Sequence, residues 1–178
     1  MTFEPEPPSA PRDISSRVVN AALLDRRTFR DVKTDPAATG QVYVLVAVAA
    51  IASAIGTIDD PGDVVSNAFL VVGGWFIYSH VAWFMRSYLF DTVHAEAARP
   101  DLLRVVGIAY GPALLRVFGI VPQIGGVIWL LSTIWLLVAI VVGLKTTLAF
   151  ENYWPAVGIV VVGMILNGLL ATVVFAIF

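Results

Sequence analysis

Four polar side chains lie inside long apolar stretches, where a hydrogen-bonding or charged group is costly and so needs a reason: Asn67, His80, Arg116 and Asn167. Arg116 carries the sharpest demand. A guanidinium near mid-depth must face a cavity, a partner such as the Asn67 amide, or an anionic lipid or substrate. Its alternative is to snorkel to outer headgroups, since the end of its apolar run lies only about five residues on. His80 has the chemistry of a proton relay or a metal ligand, but no second His and no carboxylate shares its stretch at ligand spacing, which favours an interhelical hydrogen bond. Asn67 and Asn167 read as polar contacts between helices. His94, beside Glu96 in a charged loop, reads as solvated.

The missing signals narrow the function further. No two carboxylates share one face of an apolar run, so a carrier driven by carboxylate protonation is not supported. GxxxxGK[ST], HExxH and GxSxG are all absent, which argues against an ATPase, a zinc protease and a serine hydrolase. With no cysteine, thiolate metal sites, disulfides and cysteine nucleophiles are excluded. The reading is non-enzymatic, with no cofactor, metal or nucleic-acid partner expected.

The elements that position these residues are membrane spans. Hydrophobic residues make up 58% of the 178-residue chain and charged ones 13%, and the mean hydropathy is +0.85, leaving too little polar surface to cover a globule in water. Apolar runs fall at about 41–58, 64–90, 102–121, 124–144 and 156–178, each near the ~20 residues a helix needs to cross a bilayer. The fold class is all-α: a polytopic membrane protein of five transmembrane helices preceded by an amphipathic cytoplasmic helix. Residues 1–13, acidic and Pro-rich, read as a disordered tail without a signal-peptide pattern. Residues 14–34 carry an apolar side of Ile14, Val18, Ala21, Ala22, Phe29 and Val32, opposite Arg26, Arg30 and Lys33. They predict one imperfect interfacial helix on anionic lipid, with Arg26, Arg27, Arg30 and Lys33 at the membrane surface. Residues 35–178 form the transmembrane domain.

Ten of the eleven Lys and Arg residues fall on one side when the runs are threaded in order: Arg12, Arg17, Arg26, Arg27, Arg30, Lys33, Arg86, Arg99, Arg104 and Lys145. Arg116 alone belongs to the outer half. The positive-inside rule then predicts an inner-membrane protein with its N-terminus cytoplasmic and its C-terminus outside. Within the third run, Gly107 and Gly111 form a GxxxG pair and Pro112 predicts a kink near Ala109 to Pro112. Asp35-Pro36 predicts a helix start, Asp59 to Asp63 a turn, and the loop Asp91 to Asp101 a partly helical segment. Gly125, Ser132 and Ala139 repeat every seven residues, and Gly163, Asn167 and Ala171 share a face one turn apart, so both runs offer close packing to a protein partner or a second copy.

Taken in order, the segment SRVVNAALLDRRTFRDVKTDPAATGQ, the small-residue-rich span after it and the stretch LLRVVGIAYGPALLRVFGIVPQIGGVIWLLSTIWLLVAIVVGLKTTL resemble bacterial members of the Yip1 family. The resemblance covers most of Ser16 to Phe178. It implies a five-helix integral membrane domain with a cytoplasmic N-terminus. Eukaryotic relatives act in membrane trafficking, bind prenylated Rab-type GTPases and carry a cytosolic DLYGP-like element before the first span, whereas Tyr110-Gly111-Pro112 lies here inside the third. The reading that follows is an organiser of membrane or partner proteins, acting through helix faces and lipid contacts. The alternative is a small permease or lipid-handling subunit that uses Arg116, His80, Asn67 and the Pro112 kink.

Overall fold

A computed structural model describes residues 13–58, 61–89 and 97–177, and every element among them is helical. The acidic tail, the Asp59-Asp60 turn, Phe90, most of the 91–101 loop and Phe178 lie outside the described residues. Four helices are long and apolar enough to cross a membrane: α3 (Ala38–Ile55), α4 (Pro61–Leu89), α6 (Gly125–Thr147) and α7 (Trp154–Ile177). The count rises to five if a bent pair is one span: α5 (Arg99–Ile108) runs into a 3₁₀ helix, Gly111–Ile120, at an angle of 43°.

Residues 14–34 differ from the single interfacial helix that their pattern predicts. They form two helices, α1 (Ile14–Ala22) and α2 (Arg26–Thr34). Leu24 takes a left-handed backbone (φ 63°) that no α-helix continues through, and Asp25 then caps α2 by accepting the N–H groups of Arg27 and Thr28. Their apolar side is covered by protein, with Ala21, Phe29 and Val32 fully buried. Phe29 packs over Gly143 of α6, and Trp135 Nε1, halfway along α6, donates to the Ala22 carbonyl at 2.8 Å. Val19 on α1 and Leu23 just after it are the exposed large apolar residues of this stretch.

The break in the third span follows from Pro112. Without an N–H, proline cannot continue the i→i−4 ladder, and the chain tightens into i→i−3 bonds, from Tyr110 N to the Gly107 carbonyl (3.1 Å) and Ala113 N to the Tyr110 carbonyl (2.9 Å). What the sequence does not announce is that ten residues stay 3₁₀. A three-residue period makes straight stripes: Ala113, Arg116 and Gly119 turn inward, while Leu115 and Phe118 are exposed.

Close approach of backbones holds the layers together. A Cβ on Gly107 would stand 2.1 Å from Val42 Cγ1 of α3, and one on Gly56 would stand 2.0 Å from the Arg116 carbonyl oxygen. Gly111 faces Val18 and Ala22 of α1, so the two glycines of the GxxxG pair serve different neighbours. Trp75 Nε1 ties α4 to α5 through the Leu103 carbonyl at 2.8 Å. The last helix, α7, packs chiefly on α4, where Gly163 receives the Tyr78 ring and Gly73 receives Leu170.

Candidate functional site: a buried polar cavity and a cationic end

Along α4, Asn67, Val71, Trp75, Tyr78 and Ala82 recur at helical spacing and are all buried. Asn67, Val71 and Tyr78 of that stripe line a cavity of about 110 Å³, where they meet Tyr110, Arg116, Thr133 of α6 and Asn167 of α7. Three of the four polar residues singled out in the sequence therefore converge. His80 does not, because two residues beyond Tyr78 it projects from another side of α4. It is exposed, with Nδ1 2.8 Å from the Phe76 carbonyl of its own helix.

Arg116 does not snorkel. Only 6% of it is exposed, because the 3₁₀ stripe points it inward. Its Nη2 donates to Thr133 Oγ1 at 3.0 Å and its Nη1 to Ser53 Oγ at 3.5 Å, and the guanidinium lies over the Trp129 ring with its carbon 4.1 Å from the centroid. Thr133 in turn donates to the Trp129 carbonyl, which fixes its lone pairs toward the arginine. The Asn67 amide is not the partner: its Nδ2 donates to Thr57 Oγ1 (3.3 Å) and the Asp63 carbonyl (2.9 Å), closing the N-terminal end of α4 against the residues that follow α3. Arg116 Nε, Trp129 Nε1 and Asn167 Oδ1 are buried without a protein partner. Among the described residues no carboxylate pairs with Arg116. The cavity thus offers mostly donors, fit for water or a small anion, and no nucleophile stands beside a base.

Tyr78 and Tyr110 were not singled out in the sequence. Tyr78 could have been found by extending the Asn67 face by three helical turns; Tyr110 depends on the break that precedes Pro112.

The cations gather at the opposite end. Arg17 pairs with Asp35 and donates to Gln41 at 2.9 Å; Arg104 donates to Asp101, the Lys33 carbonyl (2.7 Å) and Thr39. Lys33 reaches the Thr147 carbonyl (3.2 Å), Arg86 the Ala97 carbonyl (3.0 Å), and Arg99 lies over Trp83. The Arg17 hydrogen bond holds the Asp35 carboxyl below its ordinary value of 3.8, and Thr28 does the same for Asp25. Arg26 donates to Tyr153 Oη at 2.6 Å, while Arg27 and Arg30 stand exposed. These bonds join α1 and α2 to the ends of α3, α5, α6 and α7.

A family model described as the Yip1 domain matches residues 22–175 of the chain. No curated protein and no solved structure matches it.

Proposed function

The chain belongs to the Yip1 family, and we propose from that premise that it is a non-enzymatic inner-membrane protein that organises lipid and partner proteins through its helix faces. Its N-terminus is cytoplasmic and its C-terminus extracytoplasmic. The observation that carries the reading is where the polar groups are spent. Arg116 is held by Thr133, Ser53 and Trp129, Asn67 by Thr57 and the α4 backbone, and most of the described cations bind loops and helix ends at one face. Such bonds fix a scaffold. The positive-inside rule makes the cation-rich end cytoplasmic, and Arg26, Arg27, Arg30 and Lys33 remain its membrane-surface residues. The outer side of α7, where Gly158 and Gly168 meet nothing within 4 Å, is the face for a partner helix or a second copy.

A second reading rests on a separate observation, that Arg116, Asn67 and Asn167 line one cavity beside the Pro112 break. In it the protein is a small permease or lipid-handling subunit, and the unpartnered Arg116 Nε and Asn167 Oδ1 contact the solute. Arg116→Leu separates the two. The full chain and the variant are reconstituted in liposomes, and chloride and phosphate flux are measured beside chemical crosslinking of the assembly. The organiser reading expects equal crosslinking and no flux from either protein. Flux that the wild-type chain supports and Arg116→Leu loses, with assembly unchanged, overturns it in favour of the permease.

A further inference from the structure

Where α2 meets the end of α6, Arg26, Arg30 and Lys145 surround a hollow of about 230 Å³ floored by Thr146, Ala149 and Phe150. Among the described residues no carboxylate lines it. Arg30 spends none of its guanidinium hydrogens among the described residues, Arg26 spends one on Tyr153, and Lys145, which also lies over the Tyr153 ring, spends two, on the carbonyls of Phe150 and Glu151. Three cations thus converge with most of their donors free. Two guanidinium forks and an ammonium suit a phosphate oxygen cluster, to which arginine binds in a bidentate manner. The α6 backbone turns away beneath them because Ala149 takes a left-handed conformation (φ 53°) that ends the helix.

Below this hollow, toward the bilayer interior, a second depression of about 620 Å³ runs between α6 and the 3₁₀ helix. Its walls are Leu115, Phe118, Leu131, Ile134, Trp135 and Val138. It is on the same side of α6 as the basic hollow, since Lys145, Val138 and Leu131 are spaced by seven and a helix drifts only about 20° per seven residues. At 1.5 Å per residue, Val138 lies about 10 Å and Leu131 about 21 Å below Lys145, which brackets the ~15 Å depth of one leaflet's hydrocarbon.

We propose that this side of the protein is a binding site for one anionic phospholipid, its phosphate held by Arg26, Arg30 and Lys145 and an acyl chain lying in the α6 groove. The charge above and the apolar groove below, set one leaflet apart on one helix, select a lipid over a soluble anion or a second helix. The site deepens the lipid-contact part of the organiser reading and rests on it.

The test is native mass spectrometry of the full chain in dodecylmaltoside with dioleoyl phosphatidylglycerol, dioleoyl phosphatidylcholine or inorganic phosphate. Phosphatidylglycerol should be retained over phosphatidylcholine by about tenfold, and the Arg26→Gln/Arg30→Gln variant should lose that preference. Arg27→Gln, an exposed cation outside the hollow, should keep it within about twofold. Val138→Trp, which fills the groove, should release phosphatidylglycerol without changing the mass of the protein assembly. Equal retention of the two lipids overturns the site, as does an equal loss in Arg27→Gln. Displacement of the lipid by millimolar phosphate identifies a free-anion site instead. A change of oligomeric state in Val138→Trp identifies a protein contact instead. Flux and crosslinking of the Arg116 variant do not depend on these residues, so the lipid site and the organiser reading fail separately.

Discussion

Gly56→Ala adds one methyl group at a point where the neighbour is a peptide rather than a side chain. Gly56 ends α3 in a right-handed conformation (φ −64°), so alanine meets no backbone penalty of its own. Its Cβ would nevertheless stand 2.0 Å from the Arg116 carbonyl oxygen. An ordinary C···O contact is about 3.3 Å, so the 3₁₀ helix must retreat by about 1.3 Å. No rotamer change can relieve it. Retreat of that size lengthens the 3.0 Å bond from Arg116 to Thr133 beyond hydrogen-bond reach. Overpacking contributes about 2–3 kcal/mol and the lost charge-assisted bond about 1.5–2 kcal/mol, offset by about 0.5 kcal/mol of reduced unfolded-state entropy. A net destabilisation of about 3–4.5 kcal/mol is expected. Gly40→Ala is the control: it lies in the same helix with nothing within 4 Å, and should stabilise by about 0.5–1 kcal/mol. The assay is SDS-titrated unfolding in mixed micelles followed by tryptophan emission, to which Trp129 contributes from beneath the guanidinium. Gly56→Ala within about 0.5 kcal/mol of the wild type would refute the close approach on which the position of Arg116 depends.

Arg116→Leu should stay folded and within about 1 kcal/mol of the wild type, because Thr133 retains its bond to the Trp129 carbonyl and an unpaired buried charge is removed; thermal unfolding in detergent checks it. Ala149→Gly should raise stability by about 1 kcal/mol by relieving a left-handed, exposed alanine, measured by the same unfolding titration. Trp135→Phe removes the bond to the Ala22 carbonyl and should increase hydrogen exchange across α1 about three- to tenfold while leaving the spans protected. Asp35 has a depressed folded-state value, so its pairing with Arg17 stabilises fully above the ordinary 3.8 and is lost as pH falls through the lower folded value. Asp35→Asn should therefore destabilise at pH 7 and converge with the wild type in acid, as a pH series of unfolding midpoints would register.

Helices α3, α4, α6 and α7 were legible because unbroken apolar length is a property of composition, and their ends differ from the expected spans by only a few residues. The interruption at Pro112 was legible for the same kind of reason, since a missing N–H is visible in the letter itself. The continuation as 3₁₀ was not, because it is settled by what Gly56 and Arg116 allow α3 to approach. The α1–α2 corner was hidden too. Leu24 is not a residue whose type announces a left-handed turn, although Asp25 with Thr28 three residues on carries a cap signal. At the site, residue type located Arg116, Asn67 and Asn167, but type alone cannot tell the two sides of α4 apart. Helical phase can: counted from Asn67 it includes Tyr78 and leaves His80 out.

The ten-residue 3₁₀ helix couples two geometric quantities. At about 2.0 Å per residue it covers about 20 Å, and wound as an α-helix the same residues would be about 5 Å shorter. Rewinding also changes phase, from 120° to 100° per residue, so that Arg116, five residues after Gly111, would swing by about 100°. Axial length and the heading of the buried cation are therefore one variable in this segment: neither can change without the other.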